Sequence, residues 1–231
     1  MRGIEEQYTQ AFIPKVNTLS YQYLSDDPTK SMEQMYDEEL GNQPTVVDGR
    51  SRMYTPAMKP EMSEETHNEV HDPGVYAMFS GHAANKETQA FIAAANDAGL
   101  TVYTNPWVKD VEGVSKVSPQ ALTDPRIVAF FGRAGWGTGW QAQNLAKPWF
   151  VTPYEKDDDP EIYFNNLVVQ RLRMGKIVDP SKLSVTDLAR DITEISPGLR
   201  VLNRKIREEF GTTDGIRFIA EEVSKDYLGK K

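Results

Sequence analysis

The chain has 231 residues, 39% hydrophobic and 10% aromatic, enough for one well-buried domain with further structure attached. A formal net charge of -8 with no Lys/Arg block excludes the basic footprint of a nucleic-acid binder. The absence of cysteine excludes disulfides and zinc–thiolate sites, and no apolar run approaches the length of a membrane span. A small anionic ligand remains possible, because amides at a helix N-terminus bind anions without net positive charge. Met1 to Glu6 contains no apolar signal core, so a cytoplasmic protein is expected, with membrane contact only through a partner.

Residues 1–70 are polar, acidic and rich in Met, with turn signals at Asp26-Asp27-Pro28, Gly41-Asn42 and Asp48-Gly49. Thr18 to Leu24 and Thr45 to Val47 are short apolar stretches, and Ser31 to Leu40 suits a short helix. Pro56, Pro60 and the acidic run from Glu61 to Glu69 read as a linker. These apolar residues are too scattered for an independent core, so the segment is expected to pack on the domain after it or on another copy.

Residues 71–231 alternate strands with helices. Val75 to Phe79 is a buried strand, broken by Ser80-Gly81-His82. Asn85 to Ala98 comes next as a helix with Phe91, Ile92 and Ala95 on one face; Gly99 ends it, and Leu100 to Thr104 is the second strand. Asn105 to Asp124 is a long connection with a helical turn in it. Ile127 to Phe131, Trp149 to Thr152 and Lys176 to Val178 are further strands, separated by helices over Gly135 to Ala146 and Asp159 to Met174. Three helices, Ser184 to Ile195, Pro197 to Phe210 and Thr213 to Tyr227, end the chain. The pattern predicts an α/β domain, a Rossmann-like parallel sheet with helices on both faces.

Two stretches carry chemistry. In Phe131 to Gln141 a strand runs into a glycine-rich turn that opens a helix at once. Ligands of open parallel sheets sit at such strand carboxyl ends, where glycines admit close approach and the first helical amides point at an anion. Thr138 can cap the helix or give its hydroxyl to a phosphate. The same residues also describe a tight turn that binds nothing, and they match neither the dinucleotide GxGxxG nor a Walker loop. In Lys147 to Asn166 a strand empties into an acidic loop and another helix. Asp159-Pro160 is a routine helix start, and the Asp, Glu and Asn side chains can also take sugar hydroxyls. Asp157, Asp158 and Asp159 suggest a metal, but no second ligand cluster accompanies them, so no metal is expected.

Taken together, Gly135-Trp136-Gly137-Thr138, Gln141, Lys147-Pro148, Pro153 and Asp159-Pro160-Glu161-Ile162-Tyr163-Phe164-Asn165 resemble the donor-binding signature of GT-B glycosyltransferases. This family includes plant UDP-sugar transferases and the peptidoglycan N-acetylglucosaminyl transferase, and the resemblance covers about Val75 to Val178. It implies one half of a GT-B fold, binding a UDP-type nucleotide sugar without a metal or cofactor. Arg133, Gly135, Trp136, Gly137 and Thr138 would hold the diphosphate, joined by Ser80, Gly81 and His82 from the turn after the first strand. Gln141 falls where the family binds the ribose, and Asp158, Asp159, Glu161 and Asn165 where it meets the sugar. Arg133 replaces the His that commonly opens the signature, and Gln141 replaces a carboxylate. A lone loop His such as His82 is more often a merely solvated side chain, and core packing explains Trp140 and Trp149 better than base stacking does; Trp107 and Trp136 remain candidates for stacking. The family's last helix crosses to its N-terminal domain, which gives Ile216, Phe218, Ile219 and Val223 an interface role. The acceptor site and catalytic base would lie in that other domain. About seventy residues are too few for it, so the expectation is a fragment of a longer chain, one subunit of a split enzyme with an acceptor-domain partner, or a chain that pairs with a second copy of itself. A hexosamine-epimerase-like domain and a non-enzymatic nucleotide-sugar-binding module are the rival readings.

Overall fold

A computed structural model of the chain describes residues 59–60, 62–79, 86–109, 111–155, 160–179, 182 and 184–228. The expectations for Thr18 to Leu24, Ser31 to Leu40, Thr45 to Val47, Ser80 to His82 and Asp157 to Asp159 lie outside the described residues.

The described residues hold six strands: β1 (Gly74–Met78), β2 (Thr101–Thr104), β3 (Val114–Lys116), β4 (Ile127–Gly132), β5 (Trp149–Val151) and β6 (Gly175–Ile177). They form one sheet in the order β3-β2-β1-β4-β5-β6, and every pair is parallel. This is the order of a doubly wound Rossmann sheet, in which the chain winds outward in both directions from β1 and β4. The helices are α1 (Lys86–Asp97), α2 (Trp136–Asn144), α3 (Pro160–Arg171), α4 (Val185–Phe210) and α5 (Gly215–Leu228).

Side chains alternate along each strand, so each strand feeds two cores. Val75, Ala77, Val102, Ala129, Phe131 and Phe150 point to one face and pack with Phe91, Ile92 and Ala95 of α1 and Leu188 of α4. The predicted face of α1 is therefore the buried one, and Phe91 stacks on Phe131 with ring centroids 3.6 Å apart. Tyr76, Tyr103, Phe130, Trp149 and Val151 point to the other face, where Ala142 of α2 and Ile162 and Val169 of α3 cover them. Helices thus lie on both faces of the sheet.

Two expectations need correction. The connection from Asn105 to Asp124 contains an edge strand, β3, before its 3-10 turn at Pro119–Thr123. The strand is three residues, Val-Ser-Lys, with two of them exposed, and leaves too short an alternation to read. The expected break at Pro197 is absent, because α4 runs through it for 26 residues. Its apolar stripe, Leu188, Ile192, Ile195, Leu199, Leu202 and Ile206, continues at helical spacing across the proline and packs on the domain. Packing outweighs the lost backbone bond.

Residues 62–70 run along the domain. Val70 is fully buried and Met62 packs against the same cluster. The Asp124 carboxylate accepts the His67 backbone N–H at 2.6 Å and the guanidinium of Arg126 at 2.7 Å. The Arg126 hydrogen bonds, reinforced by that of His67, hold this buried carboxyl well below the usual range despite the opposing cost of burial.

Candidate functional site

Because all six strands are parallel, their carboxyl ends share one edge. Met78 of β1 pairs with Gly132 of β4, and Gly132 with Val151 of β5. A Cβ on Gly132 would lie 2.6 Å from the Met78 carbonyl oxygen, so glycine lets these central strands close up where the turn begins. Arg133, Ala134 and Gly135 form that turn, and α2 starts at Trp136.

Gly135 is the N-cap of α2 and supplies no side-chain cap. Its carbonyl accepts from the N–H groups of Thr138 (3.1 Å) and Gly139 (3.2 Å). The N–H groups of Trp136 and Gly137 precede these first intrahelical bonds, as the opening donors of any helix do. A Cβ built on Gly135 or on Gly137 meets nothing within 4 Å. The protein's own packing does not require glycine at either position, and the backbone of Gly135 is ordinary extended chain. What glycine leaves here is open space beside two free-end amides. Gly139 differs, since its Cβ would come 2.7 Å from the indole of Trp149.

A cavity of about 460 Å³ opens at this turn. Arg133, Gly135, Thr138 and Gln141 contribute one part of its wall. Tyr76, Met78 and Phe79 come from the end of β1, and Asn105 and Trp107 from the loop after β2. Pro119 and Leu122 of the 3-10 turn and Ile162 of α3 complete it. The Thr138 hydroxyl donates to the Met78 sulfur at 3.1 Å, a weak acceptor that a phosphate oxygen would outcompete.

Of the residues singled out from the sequence, the structure therefore brings Arg133, Gly135, Thr138 and Gln141 to one cavity, with the backbone of Trp136 and Gly137 between them. Glu161 lies in the first turn of α3, beside the cavity residue Ile162. Asn165 is buried, and its Nδ2 donates to the Ala134 carbonyl at 2.5 Å, tying α3 to the turn. Trp149 is a core residue, as packing logic expects, while Trp107 is 69% exposed. Ile216 is exposed and Phe218 stacks edge-on with Phe210.

No protein-family model matches the chain, and no curated protein does. Solved structures similar to it include the spinosyn forosaminyltransferase SpnP, 12% identical with a TM-score of 0.49, over 74% of this chain and 48% of that one. The glycosyltransferase SnogD from Streptomyces nogalater is 16% identical with a TM-score of 0.48, over 66% of this chain and 43% of its own. The glycotransferase of kitacinnamycin is 15% identical with a TM-score of 0.46, over 68% and 44%. All three are glycosyltransferases. This chain spans less than half the length of each. The functional reading rests on the chain's own residues.

Sequence reasoning missed Tyr76, Met78, Phe79, Asn105, Pro119 and Leu122, and gave no site role to Ile162, quoted only within the signature. The available signal was positional: Tyr76 to Phe79 and Asn105 end or follow strands whose carboxyl ends must border any ligand of such a sheet. Sequence reasoning included Lys147 in the signature without a role; the buried ammonium donates to the carbonyls of Asp124 (2.7 Å) and Leu122 (3.2 Å) and so holds the 3-10 turn against the sheet. Burial pulls this ammonium down to about 8, against the opposing pull of Glu64 and Asp124. No described helix is long and apolar enough to cross a membrane.

Proposed function

We propose that residues 71–231 are the nucleotide-sugar-binding half of a GT-B glycosyltransferase, taking a UDP-type donor. The observation that carries this reading is the start of α2: amides of Trp136 and Gly137 beside unfilled glycine positions, opening on a cavity at the strand carboxyl ends. In this reading those amides, Arg133 and the Thr138 hydroxyl hold the diphosphate, and Ser80, Gly81 and His82 are assigned the same role. Gln141 takes the ribose. Asp158, Asp159 and Glu161, around the start of α3, take the sugar, and Asn165 positions α3 on the turn. During transfer the bond from the anomeric carbon to the phosphate oxygen breaks and negative charge gathers on the departing diphosphate. Fixed amides and the positive end of the helix stabilise that charge as it develops, with no metal needed. The acceptor and the base that takes its proton come from a facing domain, a partner or a second copy. Calorimetric titration with UDP, UDP-GlcNAc and TDP-sugars tests the reading: saturable binding of at least one is expected, and no binding of any would overturn it.

A further inference from the structure

The glycine turn accounts for only one part of the cavity. The rest is mostly apolar, yet it contains two buried polar atoms without a hydrogen-bond partner among the described residues, the Tyr76 hydroxyl and Asn105 Oδ1. Buried polar groups are normally paired, so two orphans on one cavity wall call for an explanation. The neighbouring Tyr103 shows what an ordinary buried tyrosine does here. Its hydroxyl donates to the Asp72 carbonyl and accepts the N–H groups of His71 and Asp72. Tyr76 is 2% exposed and makes none of these bonds. Burial, with Glu69 adding to it, pushes its phenol up to about 12, so it stays a neutral O–H donor at ordinary pH. At the same cavity stands Trp107, whose indole is the most exposed large hydrophobic side chain among the described residues.

We propose that Tyr76 and Asn105 read the edge of the nucleobase, with the Trp107 indole as its stacking face; this rests on the nucleotide-sugar reading above. The chemistry is complementary. Asn105 Oδ1 accepts one N–H, and the Tyr76 hydroxyl donates to one carbonyl. The imide edge of uracil or thymine presents an N–H flanked by carbonyls. An aromatic face suits any base, so Trp107 adds affinity and the polar pair adds selection. These residues are reached from β1 and the β2 loop, independently of the glycine turn that takes the diphosphate.

The test compares UDP, N3-methylated UDP and ribose 5-diphosphate, which lacks the base, on the wild-type chain and on Tyr76→Phe and Asn105→Ala. Each substitution is expected to weaken UDP about three- to tenfold, the effect of one lost hydrogen bond, and to leave ribose 5-diphosphate unchanged. The wild type should also bind N3-methylated UDP more weakly than UDP. Tyr76→Phe should keep or raise Tm, because the hydroxyl it removes has no partner among the described residues, so a loss of UDP affinity cannot be assigned to misfolding. Equal UDP affinity in all three proteins, or ribose 5-diphosphate binding the wild type as tightly as UDP, would overturn the inference while the nucleotide-sugar reading stands. Failure of every diphosphate to bind the wild type would overturn both.

Discussion

Gly137 and Gly139 stand two residues apart in α2 under opposite constraints. A side chain at Gly139 meets the buried indole of Trp149, whereas one at Gly137 projects into open space. Gly139→Val should therefore cost about 1–3 kcal/mol of stability through overpacking. Gly137→Val should leave Tm nearly unchanged, since it even reduces the conformational freedom of the unfolded chain, but its side chain would occupy the space beside the amides and abolish UDP binding. Thermal melts paired with calorimetry separate the two, and a large loss of Tm with Gly137→Val would mean that this glycine serves the fold instead. The same contrast explains what was legible in the site. Glycines before a helix announce an anion-sized gap, so Gly135, Gly137 and Thr138 stood out in the sequence. Tyr76 and Asn105 did not, because nothing in their local sequence distinguishes an orphaned hydroxyl or amide from a satisfied one such as Tyr103.

At the level of elements, α4 carries two residues that disfavour it, Pro197 and Gly198, both exposed. A Cβ on Gly198 meets nothing within 4 Å, so Gly198→Ala should stabilise by up to about 1 kcal/mol and raise Tm. Local propensity made the sequence read as two helices here, while the stripe from Leu188 to Ile206 decided for one. The alternation of strands and helices from β1 to β6 was legible because each buried strand is a continuous apolar run closed by a turn residue. β3 was not, being an exposed edge strand without such a run. The 3-10 turn offers a second test. Lys147 is protonated in the unfolded chain up to about 10.4 but in the folded chain only to about 8. Between those values the unfolded state binds the extra proton, so this group makes stability rise with pH. Below pH 8 both states are charged and the cost of burying the ammonium is felt in full. Urea unfolding of wild type and Lys147→Met from pH 7 to 10 should show the wild type gaining on the variant as pH rises; parallel curves would show that Lys147 titrates normally.

On the scale of the whole molecule, one parallel sheet brings the cavity walls together from elements scattered between Tyr76 and Ile162. The proposed chemistry needs a second surface, because positioning the acceptor and taking its proton fall to groups facing this edge. Purified, partner-free monomer should therefore bind a nucleotide sugar yet show no multiple-turnover transfer in a product assay; sustained turnover by the monomer would refute the need for a facing surface. Helix α2, which presents the amides to that edge, is fastened from both directions. At its far end Asn203 donates to the carbonyls of Gln143 (2.6 Å) and Asn144 (3.4 Å), and Asn144 donates to the Pro60 carbonyl at 3.1 Å. At its near end Asn165 grips the turn. The helix is a beam clamped at both ends, with its donors pointing outward before any guest arrives. Docking then requires no rearrangement of the beam. Amide exchange in α2 beyond its first turn should be slow in the empty protein and barely slower in the filled one, the mark of a site whose ordering cost was met when the chain folded.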